Sequence, residues 1–238
     1  MVQNSKAWGK LSKNFDSGVK GKINPSAADN ILIAWPQILE VIARHSPGKR
    51  VLDYGCGTGG LCSLLNLNGF AVTGMDFSED MIKIAKKQTS KKIDYFAGDR
   101  KTLKDLKRGF AAISVCMVLP FIKNLNPYLK VFFNSLGSKG IIAVAVFNPD
   151  FIKALSKEKK IFKPIKDEPR AFNFTLSKNP PIKAYLRTEA EYKKNFLNQG
   201  FKFLYSAYPK FSKKFIKAYS WAFAPKIPEF LIMAFRKV

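Results

Sequence analysis

Three aspartates and a run of glycines carry the chemistry that can be read from this chain of 238 residues. The segment Val51 to Gly60, VLDYGCGTGG, places Asp53 two residues before Gly55, with Gly57 and Gly60 following. Glycines at such a turn permit positive φ and let a ligand approach the backbone closely. A helix starting at Gly60 then turns its free N–H groups, and the positive end of its dipole, toward that ligand. Gly55, Gly57 and Gly60 also satisfy G-x-G-x-x-G, so on the glycines alone a nicotinamide or flavin oxidoreductase is an equal reading. Asp53 shifts the balance, because a carboxylate at the strand tip repels a pyrophosphate and attracts a cationic ammonium or sulfonium group. Asp76 ends the next apolar run, where a carboxylate can accept hydrogen bonds from both ribose hydroxyls. Asp99, closing Ala97-Gly98-Asp99, offers an acceptor for an exocyclic adenine amine.

The other reactive side chains read as structural. His45 is the only histidine, and it precedes the Ser46-Pro47-Gly48 turn that enters the first strand. That position is at the opposite edge of a sheet from a ligand held at the strand ends. Cys56, between two glycines, reads as a small apolar filler with no base beside it. Cys62 and Cys116 fall in a predicted helix and a predicted strand. An odd count of three cysteines without metal-ligand spacing speaks against a disulfide framework and a zinc site, and makes a reduced, cytoplasmic setting the expectation.

The elements that position these residues follow from the hydrophobic pattern. Short apolar runs alternate with longer, lysine-studded segments, the pattern of an α/β protein with a mainly parallel sheet. Strands are expected at Arg50–Tyr54, Ala71–Met75, Ile93–Ala97, Phe110–Val118 and Ile141–Phe147, then at Phe201–Tyr205 and Phe230–Phe235. Helices are expected over Gly60–Leu67, from an N-cap at Ser78 to Gln88, and over Asn126–Leu136. Phe70, Phe110, Phe147, Phe201, Phe230 and Phe235 belong to these strands or their edges and are assigned to the core. Between strands five and six lies a segment, 148–187, with five prolines and many lysines, read as irregular and as an inserted lid. Residues 1–30 are read as a second cover, with a helix beginning near Ala27. The whole chain is read as one domain with its ligand at the carboxyl ends of the strands.

In order and spacing these features resemble the class I S-adenosylmethionine-dependent methyltransferases, especially the broad group acting on small molecules. VLDYGCGTGG resembles the family's first motif, VTGMDFSEDMI its ribose segment and YFAGD its adenine segment. RTEAEYKKNFLNQGF resembles the helix before strand six, and PEFLIMAFRKV the closing strand. The resemblance spans most of Arg50–Val146 and Arg187–Val238. It implies a Rossmann-like, doubly wound sheet of seven strands, mainly parallel with an antiparallel last strand, in three layers α/β/α. It also implies S-adenosyl-L-methionine as cofactor and S-adenosyl-L-homocysteine as product. Asp53, Gly55, Cys56 and Gly57 would then border the methionyl part, Asp76 would hold the ribose, and Phe77 would lie beside the adenine. Asp99 would take the adenine amine with Arg100 next to it, and Cys116 and Met117 would lie near the cofactor's centre. Trp8 or Phe15 would close over it. Departures concern the acceptor: Phe110-Ala111 lacks an acidic residue common in relatives, and Val118-Leu119-Pro120-Phe121 stands where relatives often show histidines. The proline-bearing signature of enzymes methylating nucleic-acid bases is absent.

Composition sets the partners. Hydrophobic residues at 47% and charged residues at 24% describe a folded globular chain, with no transmembrane run and no secretory leader expected in the polar first residues. The net charge of +24 keeps RNA, an acidic protein or an anionic membrane surface open as partners. Lysine outnumbers arginine 34 to 7, whereas arginine suits bidentate phosphate contacts, so an anionic or partly apolar small molecule is the leading expectation. Lys210–Ala224 spaces Phe211, Phe215, Tyr219 and Phe223 at near-helical intervals among lysines. That pattern suits either a membrane surface or packing on the sheet, and packing is the expectation. With no histidine base, an acceptor must be nucleophilic already, lose its proton to a Tyr or Asp, or react through positioning alone. Tyr185 and Arg187 are the expected substrate-facing pair, with Arg170 and Phe172 behind them. A non-catalytic cofactor-binding module is the third reading, and the intact Asp53, Asp76 and Asp99 speak against it.

Overall fold

The structure, a computed structural model, describes Ile23 and residues 25–106, 108–158, 161–175, 181–219 and 226–238. Seven strands form one sheet: β1 (Arg50–Tyr54), β2 (Ala71–Asp76), β3 (Asp94–Ala97), β4 (Phe110–Cys116), β5 (Leu136–Phe147), β9 (Phe201–Ala207) and β10 (Phe230–Lys237). Their order is β3-β2-β1-β4-β5-β10-β9. The β3 to β5 half is parallel, and β10 runs antiparallel to both of its neighbours. The topology reverses at β1 and β4, which opens a crevice at their carboxyl ends.

Alternation along the strands feeds two cores. Val51 of β1 and Ile141, Ala143 and Ala145 of β5 join one cluster, with Ile38 and Ile42 of α1 (Trp35–His45) and Leu61, Cys62 and Leu65 of α2 (Gly60–Leu67). Leu52, Ile142, Val144 and Val146 join the other, with Leu129 and Phe132 of α5 (Asn126–Ser135) and Tyr192 and Phe196 of α7 (Glu189–Asn198). Strands buried on both faces need helices on both sides, and the three-layer sandwich follows. All six expected core phenylalanines are buried, and Phe196 and Phe235 stack at 4.0 Å. Helix starts are marked locally. Ser78 accepts from the Met81 N–H at 3.4 Å to open α3 (Glu79–Gln88), and Thr188 with Glu191 forms a full capping box for α7.

Three expectations change. Strand five begins at Leu136 rather than Ile141, because Leu136 already pairs with Phe110 of β4. Strand four stops at Cys116 rather than Val118, because Met117 takes φ 55°, a left-handed conformation that ends extended pairing. The segment 148–187 is not irregular. It contains α6 (Pro149–Glu158) and a three-stranded antiparallel sheet of β6 (Phe162–Ile165), β7 (Glu168–Phe174) and β8 (Ile182–Tyr185). Its prolines fit because Pro164 lies on edge strand β6 beside a register shift and Pro169 stands near the start of β7. Phe162 and Phe174 pack on Phe147 at ring separations of 5.2 and 5.6 Å, which fixes this small sheet over the end of β5.

Phe211 and Phe215 are buried, with Phe215 on the helix α8 (Lys213–Tyr219), so the described part of the basic aromatic segment packs inward. Among the described residues no helix is long and apolar enough to cross a membrane.

Candidate functional site

One cavity of about 500 Å³ lies at the crevice, and its walls come from three sources. The glycine turn and the tips of β1, β2, β3 and β4 supply the polar floor. The helix that leads into α1 supplies Asp29, Asn30 and Trp35. The inserted element supplies an apolar side from Phe151 to Tyr185.

The turn is built on β2. Gly55 and Cys56 both donate their N–H to the Met75 carbonyl, at 2.7 and 3.0 Å. Gly55 takes φ 77°, and a Cβ there would lie 2.2 Å from Val118 Cγ2, so only glycine lets the segment after β4 close on the turn. Gly57 takes φ 54° with nothing within 4 Å of an added Cβ. It leaves the backbone open to the cavity, as a bound nucleotide requires.

Asp53 is buried at 1% exposure. Its Oδ1 accepts from Ser114 Oγ at 2.7 Å and its Oδ2 from Cys62 Sγ at 3.2 Å. Burial pushes this carboxyl up to about 6 against those hydrogen bonds, and the nearby Asp76 adds to the rise. Asp76 Oδ2 accepts from the Gly57 N–H at 3.0 Å, and Oδ1 accepts from the Ser78 N–H at 2.9 Å. Burial raises its pKa, and these backbone donors oppose the rise. Asp99 caps the short helix α4 (Arg100–Leu103) through the Lys101 N–H at 2.8 Å. Arg100 places its guanidinium 5.5 Å from the centre of the Tyr128 ring.

Of the residues singled out from the sequence, Asp53, Gly55, Cys56, Gly57, Asp76, Phe77, Asp99, Arg100, Cys116, Met117 and Tyr185 all line this cavity. Trp8 and Phe15 lie outside the described residues. Arg187 is placed differently from expectation. Its guanidinium donates to the carbonyls of Leu119, Ile122 and Lys123, at 3.4, 2.7 and 2.7 Å. It clasps the turn after β4, where the Leu119 carbonyl also accepts from the Ile122 N–H at 3.2 Å. Arg170 pairs with Glu191 and, with Tyr185 and Arg187, lines a second, shallower cavity, whereas Phe172 is packed in the core. His45 ends α1 away from the cavity, where its carbonyl accepts from Arg236. The Cys56 thiol is pushed up to about 11 by burial, and burial raises Cys62 and Cys116 as well. Thiolate chemistry is thereby disfavoured. Among the described residues no group of three or more His, Cys, Asp or Glu is arranged to hold a metal ion.

Two cavity residues were not legible in the sequence. Asp29 and Glu229, 200 positions apart by number, both line the cavity, and burial raises both carboxyls, with the Asp29 charge adding to the rise of Glu229. Both are buried, at 7% and 4% exposure. The one signal available was Glu229 itself, an acid directly before the wholly apolar run Phe230–Phe235.

An open α/β sheet with a glycine turn at its topological switch and acids on successive strand tips defines a nucleotide-cofactor domain of the doubly wound class. The chain belongs to the methyltransferase domain family, whose profile matches residues 29–206. It is 31% identical over 119 residues to a ubiquinone biosynthesis O-methyltransferase of Idiomarina loihiensis, covering 42% of this chain and 49% of the relative. The chain spans between 25% and 40% of the length of three other curated relatives. Its fold is shared with a solved S-adenosylmethionine-dependent methyltransferase from Mesorhizobium loti (TM-score 0.64, 20% identity, 85% of this chain and 97% of that one). A Clostridium acetobutylicum methyltransferase of the same description aligns over 98% of this chain and 99% of its own, at TM-score 0.62 and 15% identity.

Proposed function

We propose that this chain binds S-adenosylmethionine in the polar half of the cavity and transfers its methyl group to a small, partly apolar acceptor in the other half. The observation that carries this reading is the convergence of Asp53, Asp76 and Asp99, from three successive strand tips, on one cavity beside the open Gly57 backbone. A cofactor with a cationic methionyl end, a ribose and an adenine meets an acid suited to each part. In this assignment Asp53, Gly55, Cys56, Cys116 and Met117 border the methionyl end. Asp76 and Phe77 serve the ribose and adenine, and Asp99 with Arg100 serves the adenine edge. When bound, the cofactor supplies a methyl carbon activated by its sulfonium. The chain supplies alignment and a dry surround, and positioning of this kind is worth about 7–11 kcal/mol when the geometry is right.

A small acceptor is supported by the enclosing wall of Phe147, Phe151, Leu155, Ile161, Phe162 and Phe174. A polymer would have to displace it. In this reading the element spanning α6 to β8 acts as the acceptor's cover within a single domain, and the first thirty residues contribute the other cover. The relative named for O-methylation agrees with a small hydroxyl-bearing acceptor.

Calorimetry tests the cofactor. Binding of S-adenosylmethionine or S-adenosylhomocysteine at micromolar levels is expected, with no heat from a nicotinamide dinucleotide. The reverse pattern would overturn the reading. Release of S-adenosylhomocysteine across a panel of small acceptors then identifies the substrate class.

A further inference from the structure

The second cavity, of about 480 Å³, has no part in the cofactor assignment. Lys123 and Tyr185 line both cavities, so the two adjoin at these side chains. Three elements enclose the second one. The turn after β4 brings Lys123, the inserted sheet brings Arg170 and Tyr185, and α7 brings Glu191 and Lys194. These elements are tied to one another. Arg187 donates to the Lys123 carbonyl at 2.7 Å, which fixes the backbone that carries Lys123. Arg170 of β7 pairs with Glu191 of α7, and the Leu186 N–H donates to the Arg170 carbonyl at 2.7 Å.

The charges around this cavity do not balance. Four cations, Lys123, Arg170, Arg187 and Lys194, line it with one acid, Glu191. That acid is fully engaged. One of its oxygens is taken by Arg170, and the other accepts from the Thr188 N–H at 2.8 Å and the Thr188 hydroxyl at 3.1 Å. The hydrogen bonds of Arg187 go to neutral carbonyls. Among the described residues neither Lys123 nor Lys194 forms an ion pair. The Glu168 carboxyl is held low chiefly by its hydrogen bond to Lys183, with Lys123 the smallest influence on it. A cavity walled by cations without counter-charges concentrates anions. Lysines are compact point charges that suit a phosphate, whereas the Arg187 fork that suits a carboxylate is already filled. Asn126 and Asn198, which also line the cavity, add amide donors.

We propose that the second cavity holds a phosphate-bearing tail of the methyl acceptor, whose apolar body lies among the phenylalanines of the first. This rests on the methyltransferase reading above and narrows its acceptor to a molecule with an apolar body and an anionic end. The shared wall carries the link, because a molecule passing Lys123 and Tyr185 leaves an apolar chamber and enters a cationic one. Lys123 and Lys194 contact the phosphate. Arg187 is a positioning residue that holds Lys123 through its carbonyl, and Arg170 with Glu191 fixes the opposite wall. Lys123 and Lys194 are exposed, so water and salt weaken their pull. The tail therefore adds acceptor affinity and selectivity at low salt, and no covalent step takes place in the second cavity.

Calorimetry on the full chain saturated with S-adenosylhomocysteine tests this. The probes are ω-phenylalkyl phosphates with chains of two, four and six carbons, the matching alcohols, and inorganic phosphate. At low salt the wild type is expected to bind at least one phosphate about tenfold or more tighter than its alcohol and than inorganic phosphate. That preference should shrink as salt rises. Lys123→Gln with Lys194→Gln should bring the same phosphate to within about threefold of its alcohol. Affinity for the alcohol and for S-adenosylhomocysteine should stay within about twofold in that double variant, since neither depends on these charges. Lys91→Gln with Lys92→Gln removes the same charge ahead of β3, at the opposite end of the sheet. This control pair should leave phosphate affinity within about twofold. Equal binding of every phosphate and its alcohol by the wild type overturns the proposal. So does an equal loss in the two double variants, which would assign the preference to overall charge and to polyanions such as RNA. Inorganic phosphate bound as tightly as the tailed phosphates also overturns it, because the anion then needs no body in the first cavity. Displacement of S-adenosylhomocysteine by the phosphates does the same, since they would then occupy the cofactor half. A wild type that binds no S-adenosylhomocysteine defeats the methyltransferase reading alone, because the phosphate preference can still be read on the chain without it.

Discussion

The Gly57 N–H donates to Asp76 Oδ2 at 3.0 Å, so the turn after β1 is tied to the tip of β2 by the same carboxylate that lines the cavity. Asp76 also accepts from Ser78, which caps α3. One side chain therefore holds the glycine turn, supports a helix start and lines the cavity.

Asp76→Ala should remove cofactor binding and also loosen the turn. Two hydrogen bonds to a charged acceptor are lost, each worth about 1.5–3 kcal/mol. We expect at least about a hundredfold weaker S-adenosylhomocysteine binding by calorimetry, with a measurable fall in melting temperature. Unchanged affinity would remove Asp76 from the cofactor assignment.

Asp53 sets a pH dependence of stability. Its carboxyl rises from 3.8 to about 6 on folding, so between those values the folded chain holds more protons than the unfolded one. Stability from this group is therefore full below about pH 4 and falls as pH rises through 6, by at most about 3 kcal/mol. Asp53→Asn should flatten that part of the profile in urea titrations at pH 4.5 and 7.5. A cationic ligand favours the ionised form, so cofactor binding below pH 6 should release protons, readable as buffer-dependent heat.

Gly55→Ala meets both a left-handed φ and the Val118 side chain at 2.2 Å. A loss of about 2–4 kcal/mol is expected from strain plus overpacking. Adding Val118→Ala should restore part of it by relieving the clash and leaving the backbone strain. Full recovery in the double variant, measured by chemical denaturation, would show that φ at this position is unimportant.

Arg187→Ala should behave as a stability change. The Ile122 and Lys123 carbonyls lose their short guanidinium contacts, while the Leu119 carbonyl keeps the Ile122 N–H, and a drop of about 1–3 kcal/mol follows from the part-buried Ile122 acceptor. Arg187→Lys cannot serve three carbonyls in a fork and should recover only part. A normal melting curve with a selective rise in acceptor KM would instead return Arg187 to the substrate.

The seven strands of the sheet and the helix starts at Gly60, Ser78 and Asn126 were legible because they depend on near neighbours: apolar alternation, a capping hydroxyl, a glycine stop. The end of β4 and the start of β5 were not, since Met117's left-handed turn and the Leu136–Phe110 pairing are set across the sheet. The same holds for the glycine turn and for the acids two residues before it and at the ends of β2 and β3, whose roles depend on chain distance. Prolines and lysines hid β6, β7 and β8, since edge strands tolerate both and carry little alternation. Only tertiary structure could decide that Arg187 donates to three backbone carbonyls, because a guanidinium's partners are set by what lies across the fold. The meeting of Asp29 with Glu229 is of the same kind. Neither residue belongs to a local pattern, and their coupling exists only because α1 and β10 are packed against the same end of β5. The chain's own pattern thus determined the glycine turn and the acids at the strand tips. The packing of distant elements decided that Asp29 and Glu229 line the same cavity, where burial raises both carboxyls.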